Sequence, residues 1–201
     1  MAHKVFAPWG QLETQPPTPL TAEDLMRLGD AARGCELVEG RLLRMPPTGL
    51  EHSDIAGNVY VALRGYVKAH ALGDVTMPET GFIVSQAGEP DTVLAPDVAF
   101  IAMGRLPTPG TSARRAYQRI APDLVVEVVS PGQYGPEMVA KARRWLAAGV
   151  QLVWVVWPTT HTVDIWRSGD AESAQTAREG ESLTGESALP GFTLPVADIF
   201  R

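Results

Sequence analysis

The stretch DLVVEVVS, residues 123–130, decides the fold, because it is an apolar run with one charged residue in its middle. Such runs are typical of a strand that is covered on both faces of a sheet. Glu127 stands inside the run, and a buried carboxylate is costly unless a cation holds it. The stretch therefore predicts a central strand from Leu124 to Val129 and a positive group beside Glu127.

Three other segments are predicted to form helices. In PEMVAKARRWLAAG, residues 136–149, proline stands in the first turn and glycine at the end, as is usual for a helix. In HSDIAGNVYVALRGYVKAH, residues 52–70, apolar residues recur at the spacing of one helical face. TAEDLMRLGDAA, residues 21–32, begins with a capping-box pattern of Thr21 and Asp24.

The remaining apolar segments are predicted to form strands. VQLVWVVWP and HTVDIWRS, within residues 150–168, predict one hairpin, and CELVEGRLLRMPP, residues 35–47, predicts another. TVLAPDVAFIA, residues 92–102, is predicted as a strand, and the polar segment 170–183 as weakly structured. This order of elements predicts an α/β or α+β fold with a mixed central sheet flanked by helices.

Length and composition limit the organisation of the chain. It has 201 residues, 45 % of them hydrophobic, enough for one domain with its own core. We expect a proline-rich arm over residues 1–20 and a single domain over residues 21–201. No segment has the apolar length of a membrane span or a secretory signal, so a soluble cytoplasmic protein is expected.

The charge balance argues against a generally basic surface. The formal net charge is −6, so any binding to DNA must use a local patch. Arg114, Arg115 and Arg119 form the densest basic cluster and are candidates for contact with phosphates. The alternative is a solvated loop.

A second acidic residue stands in a setting like that of Glu127. Asp97 comes directly before the apolar run Val98 to Ile101, 30 positions before Glu127. That interval is long enough for the two strands to return and lie side by side. Two neighbouring carboxylates repel each other, and a hard divalent cation such as Mg²⁺ would relieve the repulsion. The alternative is that Asp97 is a turn residue bound to the backbone.

The helix after the central strand supplies a cation. Lys141 lies at the border of the apolar face of that helix, whereas Arg143 and Arg144 are predicted to point towards water. A lysine at this border can reach an acid pair and stabilise developing negative charge. The alternative is a structural salt bridge between Lys141 and Glu127.

Several segments together resemble the Uma family of restriction-endonuclease-like proteins, a branch of the PD-(D/E)XK nuclease superfamily. The resemblance rests on these segments, in order: CELVEGRLLRMPPTGLEHSDI, LAPDVAFI, PDLVVEVVSP, KARRWLAAGVQLVWVVWP and LPGFTLPVADIF. It covers most of the chain from about residue 21 onward, and it implies a restriction-endonuclease-like core.

The resemblance implies metal-assisted hydrolysis of phosphodiester bonds. Asp97 and Glu127 would hold Mg²⁺ or Mn²⁺, and Lys141 would act as the catalytic lysine. The superfamily often places that lysine two residues after the acid, where this chain has Val129; Uma-type members take it from the following helix. Where the family usually has aspartate and tyrosine on that helix, this chain has Glu137 and Trp145.

Three further residues are weaker candidates. The family often has histidine at the position of His52, which is predicted to point into the site; the alternative is a satisfied core histidine. Glu36 and Glu39, from the early hairpin, are predicted at the edge of the site; the alternative is a solvated turn.

Two other functional interpretations stay open at this point. One is a catalytically inactive member that binds nucleic acid or a partner protein, which the acidic net charge favours. The other is a structural module that forms a homodimer. The retained set of Asp97, Glu127 and Lys141 favours the nuclease.

Overall fold

The computed structural model describes residues 6–7, 10–12 and 18–201. Most of the predicted arm, residues 1–20, therefore lies outside the described residues. The chain divides into two units, the first built from Met1–Pro47, Glu79–Ala95 and Pro107–Ala121, and the second from Thr48–Pro78, Pro96–Leu106 and Pro122–Arg201. The single domain over residues 21–201 stays a prediction.

The first unit combines a short helix with an antiparallel sheet. Helix α1, Ala22–Leu28, begins with the predicted capping box, in which the Thr21 side chain and the Asp24 carboxylate accept hydrogen bonds from each other's backbone N–H groups. The strands of this sheet follow in chain order: β1 Phe6–Ala7, β2 Gly10–Leu12, β3 Cys35–Val38, β4 Arg41–Arg44, β6 Phe82–Ile83 and β7 Val93–Leu94. Their spatial order is β1-β2-β4-β3-β7-β6. Helix α3, Ser112–Arg115, completes the unit.

The turn of the β3–β4 hairpin requires glycine. Glu39 and Gly40 both have left-handed φ angles, 51° and 74°, as a two-residue hairpin turn demands. A Cβ atom on Gly40 would also overlap Pro19. We expect Gly40→Ala to lower the free energy of unfolding by about 2 kcal/mol, measured by urea denaturation.

Gly88 serves as a control that separates the cost of the left-handed φ angle from the cost of the overlap with Pro19. Gly88 also has a left-handed φ, 90°, but open space around the position of its Cβ. Gly88→Ala should therefore cost only about 1 kcal/mol, the backbone contribution alone. Equal losses in both variants would contradict the predicted overlap with Pro19.

The second unit contains the mixed sheet that the sequence predicts. Its six strands are β5 Gly73–Thr76, β8 Val98–Ala102, β9 Leu124–Val128, β10 Leu152–Trp157, β11 Thr162–Arg167 and β12 Asp170–Arg178. They follow in the spatial order β12-β11-β10-β9-β8-β5. Strands β9 and β10 are parallel, and the other pairs are antiparallel. A separate antiparallel pair consists of β13 Ser182–Thr184 and β14 Thr193–Pro195.

Two helices cover this sheet. Helix α2, Leu50–Ala69, packs against the face that carries Val126, Val128 and Trp154. Side chains alternate along a strand, so Glu127 points to the opposite face. Helix α4, Gly135–Ala147, connects β9 to the parallel strand β10 and supplies the side chains that contact Glu127. The central apolar strand therefore has cover on both faces, as its sequence predicts.

Two predicted elements are wrong. The segment 92–102 forms two strands, Val93–Leu94 and Val98–Ala102, each in a different unit, because Pro96 between them has no N–H for a ladder. The segment 170–183 is not weakly structured, since Asp170–Arg178 is a nine-residue strand. It is an edge strand, which gains its order from pairing with β11 and exposes most of its polar side chains.

Candidate active site

The two predicted acids lie opposite each other across β8 and β9. These strands pair with Val98 beside Val126, and extending that register by one residue sets Asp97 opposite Glu127. Asp97 Oδ2 accepts a hydrogen bond of 2.7 Å from the backbone N–H of Val128. Asp97 is thus a strand-end residue bound to a backbone N–H, as one alternative held, but its partner belongs to the strand of Glu127.

Helix α4 supplies two donors to the Glu127 carboxylate. Lys141 Nζ lies 3.0 Å from Glu127 Oε2, and Trp145 Nε1 donates a hydrogen bond of 2.8 Å to Oε1. Residues four apart share one face of a helix, so both donors reach the same carboxylate. All three side chains are buried, with Glu127 4 % and Lys141 5 % exposed. The positive group expected beside Glu127 is therefore Lys141, which is enclosed and does not merely border the apolar face.

Trp145 is the contact that sequence reasoning missed. The exchange of the family's tyrosine for tryptophan removes a phenol hydroxyl, but the indole N–H donates to the buried acid. The spacing of four residues from Lys141 was the available signal. Arg144, predicted to point towards water, is also only partly exposed, whereas Arg143 is exposed as predicted.

The hydrogen bond from Trp145 has a matched control within the same unit. Trp154 is equally buried, at 0 % exposure, but its Nε1 has no hydrogen-bond partner among the residues that the structure describes. We expect Trp145→Phe to lower the free energy of unfolding by about 1.5 kcal/mol more than Trp154→Phe, because it removes a donor from a buried charged group. Urea denaturation of both variants measures the difference, and equal losses would contradict a stabilising bond to Glu127.

His52 is buried and faces Asp97. Its Nε2 lies 3.4 Å from Asp97 Oδ2. Burial opposes protonation, but the hydrogen bond and charge of Asp97, the backbone of Val128 and the charge of Glu127 outweigh it and raise the pKa of His52 above its ordinary value. The imidazole is therefore both a buried histidine and a neighbour of the acid pair.

Glu137 lies one turn before Lys141 and is buried, with 8 % exposure. Its Oε2 accepts no hydrogen bond from any residue that the structure describes. Glu137 thus adds a further buried acidic side chain to the first turn of α4.

Asp123 directly precedes β9, the strand of Glu127, and it is also buried, with 4 % exposure. It accepts hydrogen bonds from the Ala102 N–H at 2.7 Å, from Arg105 Nη1 at 2.6 Å and from Gln151 Nε2 at 3.2 Å. Its oxygens are occupied by donors that connect β8, β9 and β10. Asp123 therefore stabilises the sheet, and burial alone does not distinguish a functional acid.

The donor set around Glu127 and Asp97 fits a hard divalent cation. Within residues 18–201, no group of three or more His, Cys, Asp or Glu side chains is arranged to surround a metal. Mg²⁺, however, keeps several waters and uses one or two carboxylates. Asp97 and Glu127, which lie opposite each other on neighbouring strands, supply two such carboxylates.

The other predicted site residues belong to the first unit. Arg114 and Arg115 are exposed, and Arg119 lies 3.5 Å from Asp91. Glu36 is not in a solvated turn: it is 3 % exposed, and its Oε1 accepts a hydrogen bond from the Ala95 N–H at 3.0 Å. Glu39 is exposed in the hairpin turn. Their predicted contacts with phosphates and with the site edge stay predictions.

The mixed central sheet, flanked by the helices α2 and α4, is the restriction-endonuclease-like core that the sequence predicts. The chain belongs to the Uma2 family, described as putative restriction endonucleases, whose profile matches residues 22–197. The family predicted from the sequence is thereby confirmed.

A solved structure supports the same fold. The crystal structure of a putative nuclease belonging to DUF820 from Anabaena variabilis ATCC 29413 aligns with a TM-score of 0.75 and 20 % sequence identity. The alignment covers 90 % of this chain and 98 % of that chain. The comparison with curated proteins gives no match. Among the described residues, no helix combines the length and apolar character that crossing a bilayer requires.

Proposed function

We propose that this protein is a metal-dependent endonuclease that hydrolyses phosphodiester bonds of DNA. Two observations support the proposal: Asp97 lies opposite Glu127 in the β8–β9 register, and Lys141 Nζ on α4 lies 3.0 Å from Glu127 Oε2. The membership in a family of putative restriction endonucleases supports the same reaction class.

Each residue has a role that follows from its contacts. Asp97 and Glu127 would hold Mg²⁺ or Mn²⁺, and when bound the metal would lower the pKa of a water molecule and polarise the phosphate. Lys141, already beside Glu127, would orient the attacking water or stabilise charge that develops on the phosphate. His52 holds Asp97 from the α2 side, and Trp145 fixes the Glu127 carboxylate.

The proposed substrate contacts follow from the distribution of basic residues along the chain. Arg114, Arg115 and Arg119 are proposed to contact phosphates of the DNA backbone, since their loop is the densest basic segment of an acidic chain. A cytoplasmic location and a homodimer stay predictions.

Metal binding and DNA cleavage test the proposal separately. We expect calorimetry to detect binding of Mg²⁺ or Mn²⁺ that is lost in Asp97→Ala, while Asp54→Ala, an exposed acid on α2, binds as the wild type does. Plasmid cleavage should require the same metal and fail in Asp97→Ala. Protein that binds DNA but cuts no substrate with any metal would instead identify a catalytically inactive binding module.

A further inference from the structure

An open cleft lies on the outer strands of the second unit. It has a volume of about 700 Å³ and is lined by residues of β10, β11 and β12 and of the turn between the first two. Pockets of roughly 300–1,000 Å³ accommodate ligands the size of a nucleotide. The mechanism proposed above does not use this cleft.

The strand register connects the cleft with the candidate active site. Glu127 pairs with Val155, Val155 pairs with Asp164, and Asp164 pairs with Thr176, so these residues form one row across four strands. Paired residues project to the same face of a sheet. Asp164 and Thr176 line the cleft, which therefore lies on the same face as Glu127. Two to three strand spacings separate them, about 10 to 15 Å.

The acids of the cleft already have partners within the unit. Asp164 accepts hydrogen bonds from Trp157 Nε1 at 2.8 Å and from Thr176 Oγ1 at 2.6 Å. Glu179 lies 3.2 Å from His161 Nδ1. These hydrogen bonds hold the two carboxylates on groups of the protein.

The groups that remain for a ligand are an indole ring and a guanidinium. Trp157 is held through its Nε1, and its partly exposed ring lines the cleft. Arg178 is exposed, and its guanidinium makes no ion pair or hydrogen bond with the residues that the structure describes. Trp157 and Arg178 both lie opposite Thr162, which pairs with each of them. An aromatic ring that stacks a base and a cation that contacts its phosphate are the elements of single-strand binding.

We propose that this cleft binds one nucleotide of a single-stranded segment of the DNA substrate, with the base on Trp157 and the phosphate on Arg178. The nucleotide would lie about two or three positions from the bond that is cut, given the strand spacing. This inference rests on the proposed nuclease function, because the bound strand is the one that reaches the acid pair.

Binding without cleavage tests the inference independently of activity. The probes are fluorescein-labelled single-stranded DNA of eight nucleotides and the corresponding dinucleotide, titrated with full-length protein in EDTA and followed by anisotropy. We expect Arg178→Gln and Trp157→Ala each to weaken binding of the octanucleotide by about tenfold, as loss of one stacked or charged contact does. Trp157→Phe, which keeps an aromatic ring, should retain most of the affinity.

The control is Lys68→Gln, which removes one exposed charge from α2, on the other side of the sheet. It should weaken binding much less than Arg178→Gln. Equal effects of the two variants, or wild-type affinity in both cleft variants, would overturn the inference. Because Arg178 is exposed, Arg178→Gln remains informative even where Trp157→Ala fails to fold. If the protein cuts no DNA but the cleft variants still weaken binding, the proposed nuclease function is contradicted and the proposed nucleotide site is supported. If the protein cuts DNA with a metal but the cleft variants bind as the wild type does, only the proposed nucleotide site is contradicted.

Discussion

Replacing Lys141 with methionine is expected to slow DNA cleavage by about 100- to 1,000-fold, the usual cost of removing one preorganised group that stabilises transition-state charge. Lys141 Nζ lies 3.0 Å from Glu127 and is enclosed with it. A cation in such a water-poor setting acts more strongly than one at the surface. Single-turnover cleavage of a labelled duplex, at saturating metal, measures the chemical step.

The matched control for this variant is Arg143→Met. Arg143 lies two residues further along α4 and is exposed, so its loss changes the net charge by the same amount without touching the acid pair. We expect its cleavage rate to stay within about threefold of the wild type. Lys141→Arg keeps the positive charge beside Glu127. Comparing its stability and cleavage rate with those of Lys141→Met separates the effect on folding from the effect on the chemical step. A folded Lys141→Met protein with the wild-type rate would remove Lys141 from the mechanism.

The sequence predicts the centre of this site better than its surroundings. The run around Glu127 is apolar enough to predict burial, and burial of an acid requires a cation nearby. The α4 pattern then identifies Lys141, because the helix has a clear start, end and apolar face. These are local properties, which a sequence carries directly.

The features that sequence reasoning missed depend on contacts between distant segments. The donation from Trp145 to Glu127 needs the packing of α4 on β9. Among the residues of Asp170–Arg178 whose burial the structure describes, Ala177 alone is buried, so the composition of this strand does not distinguish it from a loop. The role of Asp123 as a structural acid follows only from its three donors. Single-sequence patterns cannot contain such information, because pairing overrides local propensity.

The stability of the metal-free protein tests whether the buried pair exists to hold the fold or to perform chemistry. Removing one member of a buried ion pair leaves an uncompensated charge, so Lys141→Met and Glu127→Gln should each lower the free energy of unfolding by about 3 to 5 kcal/mol. In the double variant neither charge remains, and its loss should be at least about 2 kcal/mol smaller than the sum of the single losses. Urea denaturation in the presence of a chelator measures all three values.

The exposed pair of Arg143 and Glu172 provides the comparison for this cycle. Its charged atoms lie 3.8 Å apart, with side chains 47 % and 95 % exposed, so the same cycle should give a coupling below about 0.5 kcal/mol. A similarly small coupling for Glu127 and Lys141 would contradict their burial as a pair.

The apolar replacement Glu127→Leu with Lys141→Met extends the argument to function. Apolar residues of similar volume often match or exceed a buried ion pair in stability, by about 1 to 4 kcal/mol. We therefore expect this double variant to unfold at a urea concentration equal to or above that of the wild type, while it cuts no DNA and binds no metal. If the double variant is at least as stable as the wild type, the ion pair is not needed for folding, and its role is chemical. A large loss of stability would mean that Lys141 and Glu127 mainly stabilise the fold.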